Sequence, residues 1–441
     1  MSSPRRDPAA PGRIAPVPSP DALRTRRVIA AILLPLVLAA AVGMALTWPH
    51  GEPSTARQIS DVAIDYPTAT VTGTSVEQCQ GTVEDRLPDG TIPDEVACLR
   101  VHATVTSGPE QGRDVQVWAT ASTTADQVPA GTRILVEHYP ATGSDDEVWA
   151  WHDYDRTLPL VSIALVFALA IILVARGRGL RALVGLVIAF AVIGVYVLPA
   201  LVRGENPVVV ALSASTLIMA VVLYLAHGLS LRTSAALLGT LAGLAATTGL
   251  GILGAEWARL SGVSSEDSYR LAQLLGESGA TSLRGLFLCG LVLAGLGVLN
   301  DVTITQASAV WELRAVSPAA SRGELFRGGM RIGRDHIAST VYTIAFAYTG
   351  AALPVLLLLE LYGLPLGPTL TSGEFAEEIV RTMVSSIGLV LAIPLTTGIA
   401  ALVVTRAGAA PARHAAADTH AHAHVHAVTA ADAPDPLHLP K

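Results

Sequence analysis

The sequence predicts an α-helical polytopic membrane protein with about eight transmembrane helices and one small all-β extracytoplasmic domain. Two observations predict it. The 441 residues are 51% hydrophobic and only 15% charged, with mean hydropathy +0.50, which is too apolar for one soluble domain. The apolar residues also fall into runs of about 20, the length that crosses a hydrocarbon core about 30 Å thick.

Residues 1–27 are rich in Pro, Ala and Ser with scattered Arg, a composition that buries too little apolar surface to fold alone. They are expected to form a disordered cytoplasmic lead. The run 28–48 follows Arg24, Arg26 and Arg27 and is long enough to span. A cleaved signal peptide is the rival reading, since Gly43-Met44-Ala45 offers small residues for a peptidase, but the run is longer than an ordinary signal core. A retained first anchor is therefore expected.

Residues 49–156 contain no spanning run and carry 18 Asp plus Glu against 6 Arg. β-Branched or alternating stretches occur at 69–72, 100–106, 114–120, 133–137 and 147–151, separated by turn signals such as Pro88-Asp89-Gly90 and Ser107-Gly108-Pro109. Five short strands fit a compact barrel of the oligonucleotide/oligosaccharide-binding type or a sandwich fragment. Cys79 and Cys98 both lie here and could form a disulfide in an oxidising compartment, whereas Cys289 lies in an apolar run.

The membrane domain, 157–406, is expected to hold spans near 158–175, 182–202, 207–226, 234–255, 283–299, 337–360 and 381–404. Counting arginines at the joints gives 14 on one side and 5 on the other, the smaller set being Arg203, Arg259, Arg270, Arg284 and Arg381. The positive-inside rule then places both termini in the cytoplasm and the acidic domain outside. The stretches 256–279 and 361–378 are too polar to cross and are expected as surface loops or short interfacial helices. Gly239 and Gly243 make a Gly-x-x-x-Gly step, read as helix packing.

The functional suspects cluster in Gly297–Leu313, "GVLNDVTITQASAVWEL". At helical spacing Asp301, Thr305, Ser308 and Glu312 share one face, at the expected bilayer edge, while Val302, Ala309 and Leu313 share another. An ionisable group at membrane depth costs on the order of 2.5 to 3.5 kcal/mol, so it is kept where it faces a bundle interior or an aqueous cavity. Asn300, Asp301, Thr303, Thr305, Gln306, Ser308 and Glu312 are the expected ligands, on a broken or re-entrant helix with freed carbonyls. The bland alternative is that Asn300 or Asp301 caps a new helix and Trp311 anchors it at the interface. His336, followed by Ser339, Thr340 and Thr343 on one face, could relay protons with Asp301. Thr396 and Thr397 are expected to hydrogen-bond within the bundle or to their own helix.

The same segment resembles the signature of the YibE/YibF-like family of polytopic bacterial membrane proteins. Two further stretches resemble that family, "DHIASTVYTIAFAYTGAALPVLLLL" from Asp335 and "EIVRTMVSSIGLVLAIPLTT" from Glu378. Together the resemblance covers about 155–405. It implies a multi-helix membrane protein, a permease without an assigned substrate.

Other chemistry is thin. Arg314 to Arg334 reads as an arginine-rich loop contacting anionic lipid, with no phosphate-binding Gly-x-x-x-x-Gly-Lys-Ser/Thr pattern. The tail 407–441 is low in complexity and disordered, and its alternating His420, His422, His424 and His426 could hold a metal ion weakly. No hydrolase elbow, zinc-protease helix or Cys-x-x-Cys occurs, so no enzyme and no cofactor are expected. The net charge of −7 argues against nucleic acid. The expected partners are the lipid bilayer, a small solute or ion, and a membrane or envelope protein. The second functional expectation is a non-transporting scaffold or sensor that uses the β domain.

Overall fold

A computed structural model describes residues 20–50, 64–87, 89–120, 123–141, 146–275 and 283–406. The chain divides into two units, one formed by 52–183 and one by 1–51 with 184–441.

The first unit begins with five strands: β1 Thr68–Gln80, β2 Glu95–Val105, β3 Asp114–Trp118, β4 Arg133–Tyr139 and β5 Val148–Tyr154. All five strands belong to a single antiparallel sheet, in the order β3-β2-β1-β4-β5. Alternation explains the core: Val101, Ala103 and Val105 of β2 and Ile134 and Val136 of β4 point inward and are buried. β1 and β2 run longer than their β-branched stretches because polar Gln, Glu and Cys continue the pairing. Cys79 and Cys98 are joined as a disulfide across these two strands, with Cα atoms 5.8 Å apart, inside the range that geometry allows.

Helix α2 (Thr157–Val192) and α3 (Leu198–Val202) are linked by a π-helical turn, Ile193–Val197. Straight, this 46-residue run would be about 69 Å long, more than twice a bilayer core. It is broken at Arg176, whose φ of 51° is left-handed. Beyond the break Gly179 lies against Ile171, where an added Cβ would meet the Ile171 carbonyl carbon at 3.0 Å. The chain therefore doubles back where Arg-Gly-Arg-Gly was expected to separate two spans.

The second unit is helical. Its α1 (Pro20–Leu46) starts ahead of the expected anchor, so residues 20–27 are helical and not part of a disordered lead. Pro20 and Asp21 suit a first turn. α4 (Pro207–His227) is capped by Asn206, which accepts from the Val208 and Val209 amides. α5 (Leu231–Trp257) is capped by Ser230. A short amphipathic α6 (Glu266–Leu275) follows in the polar joint. Then come α7 (Leu283–Val316), α8 (Arg322–Ala351), α9 (Leu353–Tyr362), α10 (Leu366–Leu370) and α11 (Gly373–Arg406). Among the described residues six helices are long and apolar enough to cross a membrane, or seven if α8 and α9, bent by 59°, make one span. Pro354 near the start of α9 lacks the amide that would continue α8.

Three expectations are corrected here. α7 is one continuous helix through Asn300 and Asp301, so it is neither broken there nor newly capped. The expected loop from Arg314 to Arg334 is a tight helical hairpin, because Ser321 and Glu324 form a capping box that starts α8. The last span begins at Gly373, well before the apolar run.

Candidate functional site

The site is set by the register of α5, α7 and α11. Small residues on α5 let the neighbouring backbones approach closely, as apolar surroundings with no hydrophobic drive demand. A Cβ on Gly243 would meet both Leu299 of α7 and Ala392 of α11 at 2.9 Å. Gly251 sits against Leu291 and Gly239 against Thr396. Both neighbours thus run antiparallel to α5. Gly243 lies 12 residues from the first residue of α5 and 14 from the last, so Leu299 and Ala392 are level with the middle of the bundle. Asp301, two positions beyond Leu299, lies about 3 Å further along. Asp301 is thus level with the middle of α5 and α11.

A polar seam crosses the bundle at this level. Thr240 and Thr303, both fully buried, share a 2.6 Å hydrogen bond between α5 and α7. Gln306, also buried, donates from Nε2 to the Gly329 carbonyl of α8 at 2.6 Å and to Thr397 Oγ1 of α11 at 2.9 Å. Thr397 in turn donates to the Ile393 carbonyl of its own helix. Gly329 and Gly333 make room: a Cβ at 333 would be 2.8 Å from Gln306 Nε2 and 2.6 Å from Ile393 Cγ2. Through α7 these two sets of bonds tie four helices together.

Beside it, His336 Nε2 of α8 lies 3.9 Å from Asp301 Oδ2 of α7. In the same bundle the Oδ1 atom of Asn300, the chain neighbour of Asp301, and the Ser385 and Thr396 hydroxyls of α11 are buried without a hydrogen-bond partner, as is His336 Nε2 itself. Buried polar atoms in a membrane bundle are normally paired.

The predicted residues therefore divide. Asp301, Thr305 and Glu312 share the exposed face that their spacing indicated, with Ser308 half-buried at its margin. Thr303 and Gln306 turn inward and tie helices together. Asn300 and His336 lie between these two sets. His420, His422, His424 and His426 fall outside the described residues, among which no group of three or more His, Cys, Asp or Glu side chains could hold a metal ion. Thr240, Gly329 and Gly333 were not expected in the site. The small-residue step at 239–243 pointed to close packing on α5 but not to Thr240 as its polar member.

A second polar cluster closes the other end of the bundle. Glu377, buried at the start of α11, accepts from the Gly262 amide at 2.9 Å and the Ser264 hydroxyl at 2.6 Å. It pins the α5–α6 joint to α11.

In the first unit, Glu147 bridges Arg113 and His138, and His138 stacks on Trp149 with ring centroids 4.2 Å apart. The Arg113 guanidinium, with help from the His138 hydrogen bond, holds the Glu147 carboxyl below its ordinary value. A cavity of about 220 Å³ opens beside this stack, lined by Asp65, Tyr66, Glu110 and His138.

Long apolar helices joined by a buried polar seam define a multi-pass membrane protein. The family model of the YibE/F-like proteins matches residues 163–406. That is more than half of the chain, which belongs to this family. No curated protein and no solved structure matches it.

Proposed function

We propose that this protein is a permease of the bacterial inner membrane that moves a small ion or solute through the Asp301 site. The observation that carries the reading is the Asp301–His336 pair, 3.9 Å apart and level with the middle of the bundle, with an unpartnered Oδ1 on the adjoining residue Asn300. A carboxylate is retained at such depth where it does chemical work, and a histidine in reach supplies a group that exchanges protons near neutrality. Hydroxyl and carboxylate oxygens suit a hard cation, a proton or a polar solute. The doubled-back chain at Arg176 supports two spans there, hence eight in all, with arginine-rich joints and both termini in the cytoplasm and the β domain outside.

The test is a thermal-shift screen of the purified protein against ions and small metabolites, run on the wild type and Asp301→Asn. A ligand at about 100 times its dissociation constant stabilises by about 2.7 kcal/mol. Hits are then loaded into proteoliposomes. Uptake lost in Asp301→Asn supports the permease; uptake equal to wild type refutes it.

The cavity beside His138 and Trp149 favours a second reading, an envelope sensor or scaffold that binds a ligand through the β domain. A shift abolished by Trp149→Ala and retained in Asp301→Asn would select that reading.

A further inference from the structure

We propose that a second copy of this chain packs against the face formed by α7 and α8, so that the Asp301 site closes between two subunits. The argument starts from depth. Gly329 of α8 lies against Thr397, and Gly333 lies against Ile393, the neighbour of Ala392 at the middle of the bundle. Arg334 and Asp335 are therefore level with the centre of α5 and α11, and both are exposed. So are Arg331 and Arg327, one and two turns toward the hairpin, and Thr305 and Glu312 on α7. The Asp301 side chain is 72% exposed despite its contact with His336. Hydrocarbon cannot cover this face, because each ionised group at that depth carries an insertion penalty that only protein or water removes.

Charge says which of these covers it. The α7 side of the face is acidic, through Asp301 and Glu312, and the α8 side is basic on balance, with Arg327, Arg331 and Arg334 against Asp335. Among the described residues Glu312, Arg331, Arg334 and Asp335 have no ion-pair partner. A twofold axis between two such faces sets α7 of each copy against α8 of the other, the self-complementary arrangement of an isologous interface. The α7 surface also permits close approach. Ala294 and Gly297 are exposed above Asp301, and a Cβ at Gly290 or Gly297 would meet nothing within 4 Å. The pairing does not depend on transport, and it is read by mass and by crosslinking alone.

The full chain is reconstituted in lipid nanodiscs and its mass measured by native mass spectrometry. Wild type is expected as two copies and R331E/R334E as one. Differently tagged R331E/R334E and E312R/D335R chains, co-expressed, are expected to give mixed pairs. A second measurement needs no charge change: T305C is expected to yield a covalent pair with a short bifunctional maleimide, and L253C on α5 is not. A single-copy wild type, a pair indifferent to R331E/R334E, or crosslinking at L253C in place of T305C would overturn the proposal.

Discussion

Gly388→Ala tests the register on which the depth of Asp301 rests. A Cβ at Gly388 of α11 would overlap Thr247 Oγ1 on α5 and approach the Thr247 Cβ to 3.0 Å. Thr247 is fully buried and donates to the Gly243 carbonyl at 2.9 Å, so turning its hydroxyl away would break that bond. Overpacking of this kind costs about 1–3 kcal/mol. For a unit of this size that lowers the melting temperature by roughly 2–12 °C. Thr247→Ala alone leaves a methyl-sized gap and costs about 1 kcal/mol. The double variant places the new methyl where the hydroxyl was, so the two losses do not add; in-contact pairs couple by about 0.5–3 kcal/mol. The assay is thermal unfolding of the four purified proteins in one detergent. A double variant that melts lower than either single one, by the sum of their losses, would refute the α5–α11 contact and the depth derived from it.

Other consequences follow from the same contacts. Gln306→Leu removes two interhelical hydrogen bonds, each worth about 0.6 kcal/mol in membrane bundles. Faster amide exchange around Gly329 is expected, and unchanged exchange there would contradict the seam. Replacing Cys79 and Cys98 by Ser opens a crosslink across β1 and β2, a loss of about 2–4 kcal/mol. Limited proteolysis should then cut between these strands, and equal resistance would count against the pairing. Arg113 holds the Glu147 carboxyl below its ordinary 4.5, so stability from that contact is complete above about pH 4.5 and fades as pH falls through the lowered value. Tyr139 and His152 lower Glu137 in the same sense. Acid unfolding of the β unit should therefore become less steep in Glu147→Gln, and parallel curves would exclude the contact.

Much of this architecture was legible in the residues. Alternation marked all five strands, because inward positions such as Val101 and Ile134 must be apolar on one face only. The spacing of Asp301, Thr305 and Glu312 gave one exposed face correctly, since helical period alone fixes it. What was illegible depends on partners distant in sequence. Thr303 and Gln306 look like their neighbours in the chain, and only Thr240, Gly329 and Thr397 make them a buried seam. The level of Asp301 with the middle of α5 and α11 was illegible for the same reason, since only the packing of Gly243 on Leu299 and Ala392 sets it. The arginine-rich hairpin was read as a loop because its charge suggested solvent, although Ser321 and Glu324 already announced a helix.

The central claim is that Asp301 and His336 act as one site, and a double-variant cycle tests it most directly. A ligand found by thermal shift is titrated into wild type, Asp301→Asn, His336→Gln and the double variant. The account predicts that either single change abolishes the ligand-induced shift and that the double variant is no worse. A shift that survives His336→Gln undiminished, or losses that simply add, would show that the two residues do not share a ligand.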